Sequence, residues 1–266
     1  MHQNLIHQER HQSNCPPLSA LLITYNEERN IKDFLENISF ADEIIVVDAY
    51  STDKTAEITR TFPKIQIYQR RFYDFPSQKN YALNLATHEW ILFCDADERL
   101  NEVLKEEIFQ TISQQNTHDA YQISIRFYFM NKSLFYSGFQ NDKSIRLFKK
   151  TCCRYDPHRH VHEILHCEGT VGKLKNPLAH HTYVSWDQYD QKLVRYARLQ
   201  SEELFAKGVR PNVFHFFFKP WYRFFYHYIL KRGILDGWEG FFISCLCGFY
   251  VFRRYVFLWM KYRGIH

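Results

Sequence analysis

Two aspartates one residue apart, Asp95 and Asp97, directly follow the uncharged run Trp90–Cys94. The run predicts a buried strand, and the end of a strand in an open α/β sheet delivers side chains to the ligand crevice. Two carboxylates at this position can bind one divalent cation, and the cation can in turn hold a diphosphate. The same residues also fit a solvated acidic turn, or the N-cap of a helix that begins near Asn101.

Three more polar clusters stand where predicted strands end or where the third predicted helix starts: Thr24–Glu28, Asp48–Asp53 and Gln78–Asn80. The carboxyl ends of parallel strands share one edge of a sheet, so the four clusters are expected to face a single crevice. Asn26, Ser51 and Asp53 are also ordinary N-cap residues. Capping accounts for one residue in each loop, but it does not explain why polar clusters recur in four loops at the same edge of the predicted sheet.

The elements that must position these clusters alternate between strand and helix. The predicted strands are Leu18–Ile23, Glu43–Val47, Ile65–Tyr68 and Trp90–Cys94, and the helices are Asn30–Ile38, Asp53–Arg60, Ser77–Ala86 and Glu102–Ile112. Repeating βα units of this length predict an α/β fold with a mostly parallel sheet. Further along, the pattern predicts short strands at Tyr121–Tyr128, Ser144–Phe148 and Thr170–Leu174, and then an amphipathic helix over residues 184–207.

The glycine positions exclude two classes of nucleotide-binding domain. All nine glycines lie at Gly138 or later, so the first half contains neither G-x-G-x-x-G nor G-x-x-x-x-G-K-[ST]. A dinucleotide-binding domain and a P-loop NTPase are therefore excluded. A nucleotide bound by this half would be held by side chains and a metal.

Four segments of the first half, in this order and spacing, resemble the family 2 glycosyltransferases with a GT-A fold: LLITYNEERNI, EIIVVDAYSTDKT, PSQKNYAL and WILFCDADERL. The resemblance covers residue 18 to about residue 110. Later segments are similar to the bacterial lipopolysaccharide-core β-glucosyltransferase branch: RLFKK, RHVHEIL, LAHHTYVSWDQYDQKLVRYA and LKRGILDGWEGFFIS. The resemblance implies a Rossmann-like nucleotide-diphospho-sugar transferase domain.

The resemblance also implies roles for the polar clusters. Thr24, Asn26 and Glu27 would lie beside the nucleoside, and Asp48 with Ser51 would hold the base. Lys79 would lie over the ribose or the phosphates, Asp95 would contact ribose and metal, and Asp97 would ligate the metal. Where relatives read D-S-x-S-x-D, this chain has Asp48-Ala49-Tyr50-Ser51. Tyr50 would narrow the nucleoside pocket, which leaves the identity of the donor open.

Sugar transfer from a nucleoside diphosphate needs a Lewis acid for the leaving group and a base for the acceptor hydroxyl. A divalent metal, Mg²⁺ or Mn²⁺, is expected at Asp95 and Asp97 with His180 as third ligand, although His180 also fits a packed or capping histidine. The resemblance favours Glu163 as the base, with Asp142 as runner-up. Glu163 equally fits an ion pair with Arg159 or Arg154.

The histidine-rich stretch admits a zinc site instead, with candidate ligands Cys152, Cys153, His158, His160, His162, His166 and Cys167. Their spacing matches no standard zinc finger.

The segment 213–266 differs in composition from the rest of the chain. It holds 20 of the 47 aromatic residues and has eight Lys/Arg against two Asp/Glu, a balance of +6 within a whole-chain charge of +5. Its longest uncharged run, Gly240–Phe252, has 13 residues, too few to span a bilayer. Cations interleaved with rings predict a hairpin of two helices, Val213–Lys231 and Trp238–Lys261, that lies in an anionic membrane interface, or alternatively a lid packed on the core.

The chain as a whole is predicted to be a cytoplasmic inverting glycosyltransferase, peripheral at the inner face of the cytoplasmic membrane. Its seven cysteines are odd in number, lack C-x-x-C spacing and follow no secretory signal, which favours a reducing compartment. The predicted ranges are a disordered segment 1–17, a GT-A domain 18–212 (nucleotide-sugar half 18–115, acceptor half 116–212) and the membrane-associating segment 213–266.

The predicted reaction moves a hexose, for example glucose, from a nucleoside-diphosphate sugar such as a UDP-sugar to a lipid-linked or core-oligosaccharide acceptor, with no nucleic-acid partner. Two alternatives stay open. One is a non-catalytic membrane-docked scaffold that binds nucleotide sugars, and the other is a nucleotidyltransferase on a related fold.

Overall fold

The computed structural model describes residues 15–130, 132–138, 142–156, 165–183 and 186–265. The chain forms two compact units. Unit 1 contains the residues up to Ile125 together with Lys143–His180, and unit 2 contains Arg126–Asp142 together with His181–His266. This division differs from the ranges predicted from the sequence, because residues 126–142 and 181–212 group with the C-terminal segment.

The first half of unit 1 is the predicted succession of βα units. Its elements are β1 (Leu18–Thr24), α1 (Ile31–Asn37), β2 (Glu43–Asp48), α2 (Thr55–Arg60), β3 (Ile65–Gln69), α3 (Phe75–Leu85) and β4 (Trp90–Phe93). The four strands run parallel in the order β3-β2-β1-β4. Thr24 pairs with Asp48, and Leu21 pairs with Phe93, so the loops that carry the polar clusters leave one edge of the sheet.

The second half of unit 1 extends this sheet with antiparallel strands. After β5 (Glu98–Arg99) and α4 (Glu102–Ile112), β6 (Ala120–Phe129) begins in unit 1, and β8 (Lys143–Lys149) lies between β4 and β6. The remaining strands are the hairpin β9 (Cys153–Tyr155) and β10 (Leu165–Cys167), then β11 (Val171–Lys173) and β12 (Leu178–Tyr183). The pairing of β12 with β5 joins His180 to Glu98 in register.

Both faces of this sheet are covered. Leu22, Val46 and Leu92 belong to a buried cluster with the helices α1 and α4, while Leu21 and Phe93 belong to a second cluster with α3. Strands buried on both sides carry continuous apolar runs rather than alternating ones. This explains the uncharged sequence of β4 and the abrupt appearance of carboxylates at its end.

Unit 2 is mainly helical. It contains α5 (Trp186–Ala206), α6 (Val213–Phe216), α7 (Phe218–Phe225), a π-helical turn (Tyr226–Leu230), a 3₁₀ turn (Gly233–Asp236) and α8 (Trp238–Tyr262). The short strand β7 (Lys132–Ser133) pairs with the end of β6. The sequence predicted the first tail helix as one continuous element; it is divided at Phe217 and ends in the π-helical turn.

Among the described residues, α8 is the one helix that is long and apolar enough, by length and composition, to cross a membrane. Of its most apolar 18-residue stretch, 44% is buried. It packs against α5 and α7. Two arginines in its second half are engaged by α5: Arg253 pairs with Asp190, and Arg254 donates to Gln200 Oε1 at 2.8 Å. These contacts pack one side of α8 against its neighbours in unit 2, while rings such as Phe249 and Trp259 stay exposed.

Candidate active site

The carboxylate of Asp95 is held by a buried arginine. Asp95 follows β4, and its Oδ2 lies 2.6 Å from Arg146 Nη2. The same Arg146 nitrogen lies 2.5 Å from Glu98 Oε1, and the other oxygen of Glu98 accepts the backbone N–H of Asp95 at 2.9 Å. Arg146 is only 6% exposed and Glu98 is fully buried. One guanidinium therefore fixes two carboxylates, and Glu98 also fixes the backbone that carries Asp95.

The charges and the burial within this cluster shift the pKa values of the Asp95 and Glu98 carboxyl groups in opposite directions. Burial alone would raise the pKa of Asp95, but the charges of Arg146 and Lys79 hold it well below its usual range. Burial raises the pKa of Glu98 to about 7 against the pull of Arg146, and the negative charge of Asp95 adds to the rise. Asp95 is therefore the anion of the pair near neutral pH.

Asp97 meets His180 beside this cluster. The Asp97 Oδ2 lies 3.1 Å from His180 Nε2. The β5–β12 ladder brings the two together, because His180 pairs with Glu98, the neighbour of Asp97. Burial lowers the pKa of His180, but the hydrogen bond and the charge of Asp97 more than offset this, so the pKa is raised. The structure thus joins two of the three residues predicted as metal ligands.

The donor set at Asp97 and His180 fits a divalent cation that shares its coordination with a substrate. Within the ranges described, no group of three or more His, Cys, Asp or Glu side chains is placed to hold a metal alone. Cations that bind nucleotide phosphates commonly take one or two protein ligands and fill the remaining positions with phosphate oxygens and water. One carboxylate and one imidazole within 3.1 Å match that pattern, and Asp95 supplies a further oxygen nearby.

The loops after β1 and β2 are tied to each other. Asp48 is fully buried, and its Oδ1 accepts the hydroxyl of Ser51 at 2.5 Å while its Oδ2 accepts the Ser51 N–H at 3.1 Å. Ser51 Oγ in turn accepts the N–H of Asn26 at 2.9 Å. Tyr50 takes a positive φ of 59°, which reverses the chain so that Ser51 returns to Asp48, and leaves its ring 55% exposed. Such backbone strain is often found at binding sites.

Two further predicted residues stand in these loops. Glu27 accepts the side-chain amide of Asn30 at 2.7 Å. Burial is the main cause of the raised pKa of Glu27, and the charge of Asp97 adds to it. The hydroxyl of Thr24 is buried, and it makes no hydrogen bond to the described part of the chain. A buried hydroxyl in that condition calls for an explanation such as a bound water or a functional role.

Lys79 projects from α3 into a cavity of about 280 Å³ beside Asp95. Asp74 caps α3 by accepting the Ser77 N–H at 2.7 Å, and proline follows in the first turn, which fixes where the helix begins. The ammonium of Lys79 lies 5.4 Å from the ring centre of Phe93 and 5.2 Å from that of Tyr155. The cavity is also lined by the first two residues of β8, Lys143 and Ser144.

The outcomes for the remaining predicted residues differ. Asp142 is exposed and belongs to unit 2, so its role as a base stays a prediction. Glu163 lies outside the described residues, and so do three of the seven zinc candidates, His158, His160 and His162. Among the described candidates, Cys153 pairs in register with Cys167 across the β9–β10 hairpin, and its thiol is free of any disulfide.

Sequence reasoning missed Arg146, Glu98 and Tyr155 as parts of the site. Glu98 directly follows the aspartate pair, and Arg146 opens the quoted segment RLFKK. Their pairing over 48 positions depends on β8 lying against β4, which no local pattern predicts.

The family model for glycosyl transferase family 2 matches residues 19–170, which span the paired aspartates, Lys79 and Arg146. The chain belongs to glycosyl transferase family 2. It is therefore a glycosyltransferase, as the resemblance in the first half predicted.

Among curated relatives of this family, the lipopolysaccharide core biosynthesis glycosyltransferase LpsC of Rhizobium meliloti is 28% identical over 209 residues, 77% of each chain. A glycosyltransferase of Rickettsia bellii is 27% identical over 250 residues, which cover 89% of this chain and 84% of the relative. The resemblance to the lipopolysaccharide-core branch is thus matched by a relative of that description.

The fold is that of the GT-A glycosyltransferases. The mannosyltransferase PcManGT of Pyrobaculum calidifontis, solved in complex with GDP-Man and Mn²⁺, aligns with a TM-score of 0.53 over 97% of this chain and 95% of its own, at 14% identity. The predicted α/β architecture is confirmed by this likeness and by the parallel order β3-β2-β1-β4.

Proposed function

We propose that this family 2 glycosyltransferase moves a hexose, for example glucose, from a nucleoside-diphosphate sugar to a lipid-linked or lipopolysaccharide-core acceptor, with inversion at the anomeric carbon. The observation that carries the proposal is the contact of Asp97 with His180 beside the Asp95 carboxylate that Arg146 holds. This arrangement stands at the carboxyl edge of a parallel sheet, where α/β proteins bind nucleotides.

Different residues of unit 1 would bind different parts of the donor. Asp48 and Ser51 stiffen the loop that would hold the base, preferably uracil, and Thr24, whose hydroxyl has no partner among the described residues, stands at the same edge. Lys79 supplies positive charge for the diphosphate. Arg146 keeps Asp95 ionised and turned into the site, so that Asp95 can accept a ribose hydroxyl or contact the cation.

Asp97 and His180 would hold Mg²⁺ or Mn²⁺, which as a Lewis acid would neutralise charge on the departing diphosphate. The acceptor hydroxyl must lose its proton to a carboxylate on the opposite side of the sugar for a single inverting displacement. Glu163 remains the proposed base, with Asp142 as the alternative.

The proposed acceptor explains the composition of the C-terminal segment. A lipid-linked acceptor keeps its sugar close to a membrane surface, and residues 213–266 combine a charge of +6 with 20 aromatic residues. We therefore propose that the protein acts at the inner face of the cytoplasmic membrane and binds it peripherally through unit 2.

A panel of nucleotide sugars, scored by thermal shift with and without MnCl₂, tests the proposal. A ligand that binds the native state at about a hundred times its Kd stabilises it by about 2.7 kcal/mol. One UDP-sugar is expected to raise the unfolding midpoint, with a larger rise when Mn²⁺ is present. In Asp97→Asn the Mn²⁺-dependent part should disappear, and sugar transfer should fall by about two orders of magnitude or more.

The matched control is Glu106→Gln, which neutralises an exposed carboxylate on α4 away from the crevice. It should behave as the wild type in both assays. If Asp97→Asn retains Mn²⁺-dependent stabilisation and full transfer or hydrolysis of the nucleotide sugar, the proposed site is wrong.

A further inference from the structure

The turn that precedes α8 is built around one buried carboxylate. Asp236 is 4% exposed, and its Oδ1 accepts the N–H of Phe135 at 2.9 Å. Its Oδ2 accepts the N–H of Tyr136 at 3.0 Å and the hydroxyl of Ser137 at 2.7 Å. Three consecutive residues of one loop therefore depend on a side chain about a hundred positions away, all within unit 2.

Backbone and lysine contacts complete the connection. Ser137 N–H donates to Lys231 O at 3.0 Å, and Ser137 O lies 2.7 Å from His227 Nδ1. Lys132 Nζ donates to Asp236 O at 3.2 Å and to Glu239 at 2.6 Å. We call the loop Lys132–Gly138 together with the turn Leu230–Trp238 the tip of unit 2.

Two glycines, one in the tip and one just after it, show how closely the backbones approach in this region. A Cβ on Gly233 would lie 2.8 Å from His227 O and 2.9 Å from Ser137 Oγ. A Cβ on Gly240, in the first turn of α8, would lie 1.9 Å from Gly233 O. The tip is thus a tightly fitted structure rather than a loose connection between helices.

This fitted structure presents large apolar side chains to the surroundings. Those exposed by half or more are Phe135 (52%), Leu230 (66%), Ile234 (53%), Leu235 (61%) and Trp238 (73%). Several large apolar side chains exposed on one tightly fitted structure point to an interaction site. The buried hydrogen bonds of Asp236 hold the backbone in a shape that keeps these side chains out of the core.

The charges at the tip select the partner. Arg232 is exposed, and Lys132 and Lys231 stand on the two segments of the tip. The two acids of the C-terminal segment, Asp236 and Glu239, are both engaged by tip residues. Three cations against two acids leave this region with a small net positive charge, which fits Trp and Leu side chains beside an anionic lipid headgroup layer, whereas two copies of the tip would bring like charges together.

We propose that the tip is the part of unit 2 that inserts into an anionic lipid surface, and that Asp236 is the positioning residue that keeps the tip in its inserting shape. This proposal deepens the membrane association proposed above and rests on it. The helix α7 also exposes rings, among them Trp221 (61%) and Phe225 (50%), and it provides the internal comparison.

The test uses sedimentation of the full chain with phosphatidylcholine vesicles, with and without phosphatidylglycerol. The double variant Leu235→Ser/Trp238→Ser should reduce the partition constant for phosphatidylglycerol vesicles about tenfold or more. The matched control Phe249→Ser/Trp259→Ser removes two exposed α8 rings (53% and 43%) and should stay within about threefold of the wild type. Trp221→Ser/Phe225→Ser should weaken binding less than the tip variant does.

Asp236→Asn tests the positioning role through hydrogen exchange at the Phe135 and Tyr136 amides, which donate to the carboxylate. These amides should exchange faster in Asp236→Asn, vesicle binding should fall, and unit 1 should keep its thermal response to the nucleotide sugar. Unchanged exchange would overturn the role of Asp236.

A tip variant that binds vesicles like the wild type, or less impaired than the α7 variant, would overturn the insertion site while leaving the transferase function intact. Dimerisation without lipid that the tip variant abolishes would identify a second copy as the occupant and would also overturn the proposal. A wild type that binds no vesicles would refute the membrane association itself, and the thermal response to nucleotide sugar would still report on the transferase.

Discussion

Arg146 is the residue on which the candidate site depends most at the scale of single side chains. Its side chain is buried within unit 1, and its guanidinium contacts both Asp95 and Glu98. Removing one partner of a buried, hydrogen-bonded charge cluster leaves the remaining charges without compensation. The arginine therefore contributes to both the stability of unit 1 and the ionisation of Asp95.

Replacement of this cation should affect folding and activity together. Arg146→Met is expected to destabilise the protein by about 3 kcal/mol, since it leaves the buried carboxyl of Glu98 and the partly exposed carboxylate of Asp95 without their cation. Sugar transfer should fall by about a hundredfold or more, because Asp95 is no longer held as an anion. Arg146→Lys should have a stability and an activity between those of the wild type and Arg146→Met. An ammonium keeps the charge but cannot reproduce the planar guanidinium. Denaturant titration and initial rates measure both effects.

Glu98→Gln is the matched control for that series. Burial raises the pKa of Glu98 to about 7, so a neutral isostere resembles a state that the native protein already populates near neutral pH. The variant loses one acceptor, and the expected cost is about 1 kcal/mol with transfer retained to within about tenfold. A loss of stability and of sugar transfer equal to that of Arg146→Met would show that the charge of Glu98, and not its position, matters.

At the scale of elements, the junction of β6, β8 and β11 is held by Asp119. Its Oδ2 accepts the N–H of Thr170 at 2.9 Å, and its Oδ1 accepts the ammonium of Lys149 at 2.9 Å. Asp119 N–H donates to Thr170 O at 2.9 Å, and its carbonyl accepts the Lys149 N–H at 2.8 Å. One residue thus connects the start of β6 to two neighbouring strands.

This junction should make stability depend on pH in a defined window. The hydrogen bond from the Thr170 N–H, with that from Lys149, lowers the pKa of Asp119 from 3.8 to about 2. A depressed pKa gives a stabilisation that is complete above the unfolded value and is lost as the pH falls through the folded value. The difference in melting temperature between wild type and Asp119→Asn should therefore shrink as the pH falls from 3.8 to about 2. A difference that stays constant across this window would exclude the proposed linkage.

Two glycines of unit 2 should respond differently to an added methyl group. Gly240→Ala places a Cβ 1.9 Å from Gly233 O, so the backbones must separate, at an expected cost of about 3 kcal/mol. Gly208→Ala meets no atom within 4 Å but must keep a φ of +70°, and its expected cost is about 1 kcal/mol. Urea titration of both variants measures the difference, and equal costs would show that the helix start relaxes freely.

Local pattern was sufficient for the βα units and insufficient for contacts between distant segments. The helix Glu102–Ile112 was predicted with its observed bounds, because Asn101 caps it and its apolar residues recur at helical spacing. The short strands β5, β9 and β10 were missed, since two or three residues carry no readable period. The pairs Arg146–Glu98 and Asp236–Ser137 arise from chain topology, and no spacing along the sequence signals them.

The same limit affected the C-terminal segment. Its aromatic and basic composition correctly marked it as unusual, and two helices were predicted at Val213–Lys231 and Trp238–Lys261. The division of the first helix and the packing of α8 against α5 depend on which faces meet, which composition does not specify. Residues 181–212 therefore group with the tail in the structure rather than with the preceding domain.

At the scale of the whole molecule, charge is distributed unevenly along the chain. The segment 213–266 carries +6 and the whole chain only +5, so the preceding residues are close to neutral. A membrane contact made by cations and rings has two parts with different responses to salt, because screening weakens attraction to anionic lipid and leaves apolar burial in place.

Partition to phosphatidylglycerol vesicles should accordingly fall as NaCl rises and then level off above zero. With a Debye length of about 10 Å at 0.1 M and about 3 Å at 1 M salt, most of the electrostatic part should be lost across that range. The plateau should match the partition to pure phosphatidylcholine vesicles, which measures the apolar contribution alone. Arg232→Ala, which removes one exposed cation from the tip, should weaken binding at low salt and leave the plateau unchanged. Binding that vanishes at high salt would mean that the exposed rings do not enter the lipid.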